Sequence, residues 1–241
     1  MPEIILDGIP AWWALPALAA LAGILALDET AIAQTWFGQP LAAGVLTGFV
    51  VGDPVTGLAI ALPLQIGLAG NLPVGQTFTG DHTSAVVAVV GGARLAGVSA
   101  TPALEGTGDG SAALLGWLIL AAGLISLSSH WLVQAERRAN GVWMLEGRHT
   151  LRDGSLSRIT RLHRRGLVAT FLRGTLVGLL CALFLMRVWI PGFAHLPGKA
   201  LGALAMVPLL LPGLGIGTML DRYGLRTGWL PALLGAVVAF L

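Results

Sequence analysis

LQIGLAGNLPVGQTFTGDHTSA, residues 64–85, starts as apolar as a membrane helix, breaks at Asn71, Pro73, Gly75 and Gly80, presents Asp81 and His82, and then turns apolar again. In hydrocarbon, backbone N–H and C=O groups outside a helix find no water, so such a break is tolerated only where the segment is buried in protein or lines a cavity. The stretch is therefore either an external loop or a re-entrant segment. The run 55–70 is barely long enough to cross a membrane and carries Pro63 and Gln65 near its middle. That favours a short helix that enters, turns at 71–80 and leaves.

The rest of the chain fits a membrane setting. Of 241 residues, 55% are hydrophobic and 11% charged, and the mean hydropathy is +0.81, outside the balance of soluble domains. Apolar stretches lie near 10–27, 38–51, 55–70, 83–104, 111–133, 166–190, 200–221 and 228–241. A crossing needs about 20 apolar residues, so several of these are too short to cross alone. The expected fold class is all-α, a polytopic membrane protein with about six to eight membrane segments including re-entrant hairpins. The first stretch has Glu3 and Asp7 in front of it and no basic leader, which reads as a first membrane helix rather than a signal peptide. Trp12, Trp13, Trp36, Trp131, Trp189 and Trp229 fall near the edges of apolar stretches, where amphipathic rings sit at headgroup level. Trp117 and Trp143 do not.

Residues 134–165 hold eight arginines against Glu136, Glu146 and Asp153. This segment is expected to be an Arg-rich cytoplasmic loop that divides one integral membrane domain, 1–241, into an N-terminal part, 1–133, and a C-terminal part, 166–241. Arg222 and Arg226 share its side if 166–190 and 200–221 each cross once, leaving His195 and Lys199 outside. One aromatic and no recognition motif in the loop argue against nucleic acid. Anionic membrane lipid is the partner such a charge cluster suits.

Motifs narrow the chemistry mostly by exclusion. Cys181 is the one cysteine, so neither an intramolecular disulfide nor a cysteine metal cluster forms. GTGD at 106–109 has no Tyr-Asp partner, GLGIG at 213–217 lacks a following Lys and suits close helix packing, and neither HExxH nor GxSxG occurs. No catalytic residue, metal site or cofactor is expected. Pro and Gly break one apolar segment in each half, ALPLQIGLAGNLPVG at 61–75 and VPLLLPGLGIG at 207–217, and paired interrupted segments point to a transporter binding site. Polar residues at membrane depth mark such sites, since a charge there costs roughly 2.5–3.5 kcal/mol on insertion scales. Asp53, in Gly-Asp-Pro, reads as a turn residue; Asp28 and Glu29 fit a loop and a site equally. In a re-entrant arrangement Gln65, Asn71, Gln76, Thr79 and Asp81 crowd one cavity, with amides, hydroxyls and a carboxylate able to pair with sugar hydroxyls.

The stretches ILALDETAI at 24–32 and QPLAAGVLTGFVVGDPVTGLAIALPLQIGLAGNLPVG at 39–75, with Gly80 and Asp81, resemble the enzyme IIC subunit of the mannose/fructose/sorbose family of the bacterial phosphoenolpyruvate-dependent sugar phosphotransferase system. The resemblance implies a multi-pass permease of the bacterial inner membrane that binds a hexose-like sugar and moves it for phosphorylation. It implies a membrane partner, enzyme IID, in a trimer of IIC–IID pairs, elevator-like movement, and phosphate delivered by the phosphocarriers enzyme IIA and IIB. With it, Asp28, Gln65, Asn71, Gln76 and Asp81 become the candidate substrate-binding residues. Gln65 stands where the family usually has Glu, and Gln39 where it has Arg. His82, His130, His149, His163 and His195 match no phosphorylation site of the family. The alternatives are a degenerate homologue that transports without phosphorylation, a membrane scaffold subunit, which needs no polar cavity, and a membrane enzyme built on Asp28, Glu29 and Asp81.

The charge asymmetry makes a topological prediction. Single cysteines at Ser155→Cys and Lys199→Cys are expected to react from opposite sides of the membrane, with Ser155→Cys protected from an impermeant reagent added to intact cells. Outside labelling of Ser155→Cys overturns the topology.

Overall fold

The computed structural model describes residues 11–32, 34–68, 80–108, 110–152 and 155–222. Every regular element among them is helical. The order is α1 (Ala11–Thr30), α2 (Pro40–Val50), α3 (Pro54–Gly67), α4 (His82–Leu95), α5 (Thr101–Leu104), α6 (Ser111–Arg152), α7 (Leu156–Phe184), α8 (Ile190–Gly192), α9 (Gly198–Ala205) and α10 (Val207–Arg222). Among the described residues, Ser111–His149 and Leu156–His195 are long and apolar enough to cross a membrane. Gly198–Ala205 with Val207–Asp221, bent by 45° at their junction, makes a third span if the pair is one.

Most of the Arg-rich segment is helical: α6 runs 42 residues to Arg152 and α7 starts at Leu156, so residues 134–152 and 156–165 are helix ends. At 1.5 Å per residue α6 is roughly 63 Å long, about twice the hydrocarbon thickness of roughly 30 Å. A helix already propagating gains one hydrogen bond per added residue, and α6 therefore continues past the apolar run instead of ending with it.

At the centre lies α4. Nearly every residue from Thr83 to Ala93 is buried, as expected of a helix that is apolar and small on all sides. Around it the helices meet at small residues, the usual device where lipid removes the hydrophobic drive for helix association. Gly174 and Gly178 of α7 lie on Ala22 of α1, Gly57 of α3 lies on the Gly44 carbonyl of α2, and Gly116 of α6 lies on the Leu204 carbonyl of α9. The two segments broken by Pro and Gly also touch: Gly215 of α10 sits on the Ile66 carbonyl, and Gly67 sits on Leu211. Close packing was the expectation for the 213–217 glycines, and Gly215 meets it, whereas Gly213 and Gly217 have open space beside them. The turn residue Asp53 behaves as its motif predicts, capping α3 by accepting from the Thr56 amide at 2.9 Å and the Thr56 hydroxyl at 2.7 Å.

Beyond Phe184, α7 widens into a π-helical turn, Leu185–Trp189. Pro191 follows it; a proline within a helix has no N–H to give and its ring crowds the carbonyl four residues back, which a wider turn relieves. The widened turn presents Trp189 to Trp117. Their rings stack at 4.0 Å, and each indole N–H donates to the other residue's carbonyl, at 2.9 and 3.1 Å. Trp117, which fitted no interface pattern in the sequence, instead ties α6 to the end of α7.

The Gly57 contact makes a prediction. Gly57→Val drives a branched side chain into the Gly44 backbone and is expected to cost about 1–3 kcal/mol, lowering the melting temperature by about 2–4 °C per kcal/mol. Gly123→Ala, on α6 with open space beside it, is expected to be neutral or slightly stabilising. Thermal unfolding in mild detergent compares the two; equal behaviour contradicts the packing described.

Candidate functional site

Between α1 and α2 the chain runs outside any helix, and three elements hold it there. Asp28, in the last turn of α1, accepts from the Thr35 amide at 2.9 Å and hydroxyl at 2.7 Å, and from the Gly38 amide at 2.8 Å. Thr83, in the first turn of α4, donates its hydroxyl to the Gly38 carbonyl. Gln65, near the end of α3, accepts from the Leu41 amide at 3.2 Å through Oε1. Leu41 is the second residue of α2, one of the N–H groups that a helix start leaves without an internal partner. Pro40 ahead of it has none to leave. Gly38 is buried, and a Cβ there would strike the Glu29 backbone, so only glycine lets the strand of chain lie this close to α1.

The same segment holds two non-glycine residues with positive φ, Gln34 at 53° and Trp36 at 79°. Such conformations cost energy and persist where the surroundings impose them. The Asp28 carboxylate is bonded to Thr35 between the two.

This segment forms one wall of a cavity of about 940 Å³. The other walls are the end of α1, the start of α4, and the Arg-rich halves of α6 and α7. Its ionisable lining holds three acids, Asp28, Glu29 and Glu136, and three arginines, Arg137, Arg148 and Arg173. Asn140, Thr83, Thr170, His82 and His163 add donors and acceptors, and Trp36 and Trp143 add aromatic faces. A neutral ligand rich in hydroxyls suits such a lining. Each hydroxyl donates once and accepts twice, and the apolar face of a ring can lie on an indole.

A buried ionic network meets the cavity at Glu136 and Arg173. Arg173 of α7, 7% exposed, reaches Asp81 through Nη1 and Glu136 through Nε, the latter at 2.5 Å. Glu136 also accepts from the Thr170 hydroxyl and, at 3.5 Å, from Asn140. Asp81 caps α4 by accepting from the Ser84 amide at 2.9 Å, and its own amide donates to Ser129 Oγ at 3.0 Å. His82 Nδ1 pairs with the Ser126 hydroxyl.

The five residues selected from the sequence thus fall out as follows. Asp28 lines the cavity, Asp81 is fully buried outside its lining, and Gln65, also outside the lining, holds the Leu41 amide next to the lining residue Pro40. Asn71 and Gln76 lie outside the described residues. Glu29, left open between loop and site, lines the cavity. Sequence reading missed Glu136 and Arg173. Glu136 was absorbed in the charged segment 134–165. Arg173 carried a usable signal, a lone charge inside the apolar run 166–184, the pattern that marks functional residues at membrane depth. Trp143, unassigned in the sequence, belongs to the cavity wall.

Comparison with known proteins adds one match. The family model described as the sorbose-specific IIC component of the PTS system aligns with residues 12–241. No curated protein matches the chain significantly.

Proposed function

The chain belongs to the sorbose-specific IIC family of the sugar phosphotransferase system, and on that basis we propose that it binds a hexose-like sugar between the segment 35–41 and the cavity beside it. As a member it is a sugar permease subunit of that system, located in a membrane. The observation that carries the finer reading is the cavity lined by acids, arginines, polar side chains and two indoles. A scaffold subunit has no use for such a cavity. In this proposal Asp28, Gln65, Asn71, Gln76 and Asp81 form or support the sugar site, within one membrane domain of six to eight segments in the bacterial inner membrane. Enzyme IID is the membrane partner, in a trimer of pairs, and enzyme IIA and IIB supply the phosphate.

Gln65 gains a physical role here. Its Oε1 holds the Leu41 amide, and the glutamate usual at this position in the family offers the same acceptor. The departure therefore keeps the contact while avoiding a charge at membrane depth. Removing the acceptor leaves a desolvated N–H, at about 1–3 kcal/mol, and lets the start of α2 shift in the cavity wall.

Two predictions test this reading. Gln65→Leu is expected to weaken sugar affinity about tenfold or more, while Gln65→Glu stays close to wild type, as measured by calorimetry on the complex with its membrane partner. Equal affinity of Gln65→Leu and wild type removes Gln65 from the site. Reconstituted alone, the protein is expected to yield no sugar phosphate from phosphorylated enzyme IIB, since none of its histidines matches a phosphorylation motif. Robust phosphorylation without any membrane partner refutes the assigned division of labour.

A further inference from the structure

Arg173 is the one charged residue in the run 166–184, and its guanidinium joins carboxylates from two other parts of the chain. The two carboxylates differ in access. Glu136 and Arg173 both line the cavity, whereas Asp81 does not and is fully buried at the head of α4. Stability alone does not explain the arrangement, because apolar residues of similar volume often serve as well as or better than a buried ionic cluster. Charges at membrane depth instead tend to mark pathways. The cation is also of the right kind. A planar guanidinium presents separate N–H groups in fixed directions, so Nη1 serves one acid while Nε serves the other; a lysine ammonium offers a single compact centre.

We propose that Arg173 is a positioning residue for transport, coupling what occupies the cavity at Glu136 to the head of α4 at Asp81. The inference rests on the sugar-binding reading above. A sugar hydroxyl that donates to the Glu136 carboxylate weakens that acid's hold on Arg173, and the guanidinium then turns more fully to Asp81. Asp81 caps α4 through Ser84. Two residues further on, Thr83 grips the Gly38 carbonyl, so a change at the head of α4 reaches the wall segment that Asp28 and Gln65 also hold. One shared donor between two acceptors, one exposed to ligand and one not, is the whole device.

Calorimetry on the complex with its membrane partner tests it, using sorbose, fructose and mannose as probes. Glu136→Gln and Asp81→Asn keep side-chain shape and remove charge. Each is expected to weaken binding, and the double variant to depart from the product of the single effects by about fivefold or more, the low end of measured coupling between sites. In an Arg173→Lys background that departure is expected to vanish. Single effects that multiply to within about twofold, or unchanged affinities with only a lowered melting temperature, reduce Arg173 to a structural ion pair and overturn the inference. If no probe binds the wild-type complex, the sugar-binding reading falls first and takes this one with it.

Discussion

A stretch of backbone without a helix, packed against a helical bundle, draws many of its hydrogen-bond partners from side chains. Residues 34–39 are that stretch here. Asp28 accepts from two of its amides, Thr83 donates to its Gly38 carbonyl, and Gln65 accepts from the Leu41 amide where α2 begins. In water these groups would be satisfied by solvent, whereas in a membrane each orphan costs several kcal/mol. The segment's three anchors come from α1, α3 and α4, so satisfying its backbone fixes those helices relative to one another. The cavity wall is a by-product of that requirement.

Packing around this fixed point uses the opposite device, the removal of side chains. Glycines on α2, α3, α6, α7 and α10 bring helix backbones into contact, and α4 is buried on all sides. Tight apolar contact and a polar, strained wall thus occupy neighbouring parts of the bundle. The first leaves no room for movement within the pairs it joins. The second is held by hydrogen bonds and an ionic network, interactions that a polar ligand is able to exchange for its own.

The Arg-rich halves of α6 and α7 have a second use beyond topology. By continuing as helices past the apolar runs, they form a wall of the cavity, and they add Glu136, Arg137 and Arg148 to a lining that also holds Asp28 and Glu29. A disordered loop of the same composition would satisfy the orientation rule for membrane proteins without forming a wall. The length of α6 therefore gives the cavity a wall, which its charge alone does not convey.

Composition and the spacing of apolar runs determined that this chain is helical and membrane-bound, because those properties follow from local propensity and from the length needed to cross hydrocarbon. Local chemistry also made Asp53 a cap and gave family membership through the 24–81 motifs. Asp28 and Asp81 were legible as polar residues at costly positions, though not the partners that occupy them. What only the tertiary structure decided were the contacts between distant segments: Arg173 with Asp81 and Glu136, Gln65 with Leu41, and Trp117 with Trp189. Each joins residues at least 24 positions apart, and no helical period links such positions. Only the packing of α4 against α6 and α7, set by which surfaces are small enough to meet, brings an arginine in one apolar run to an aspartate in front of another.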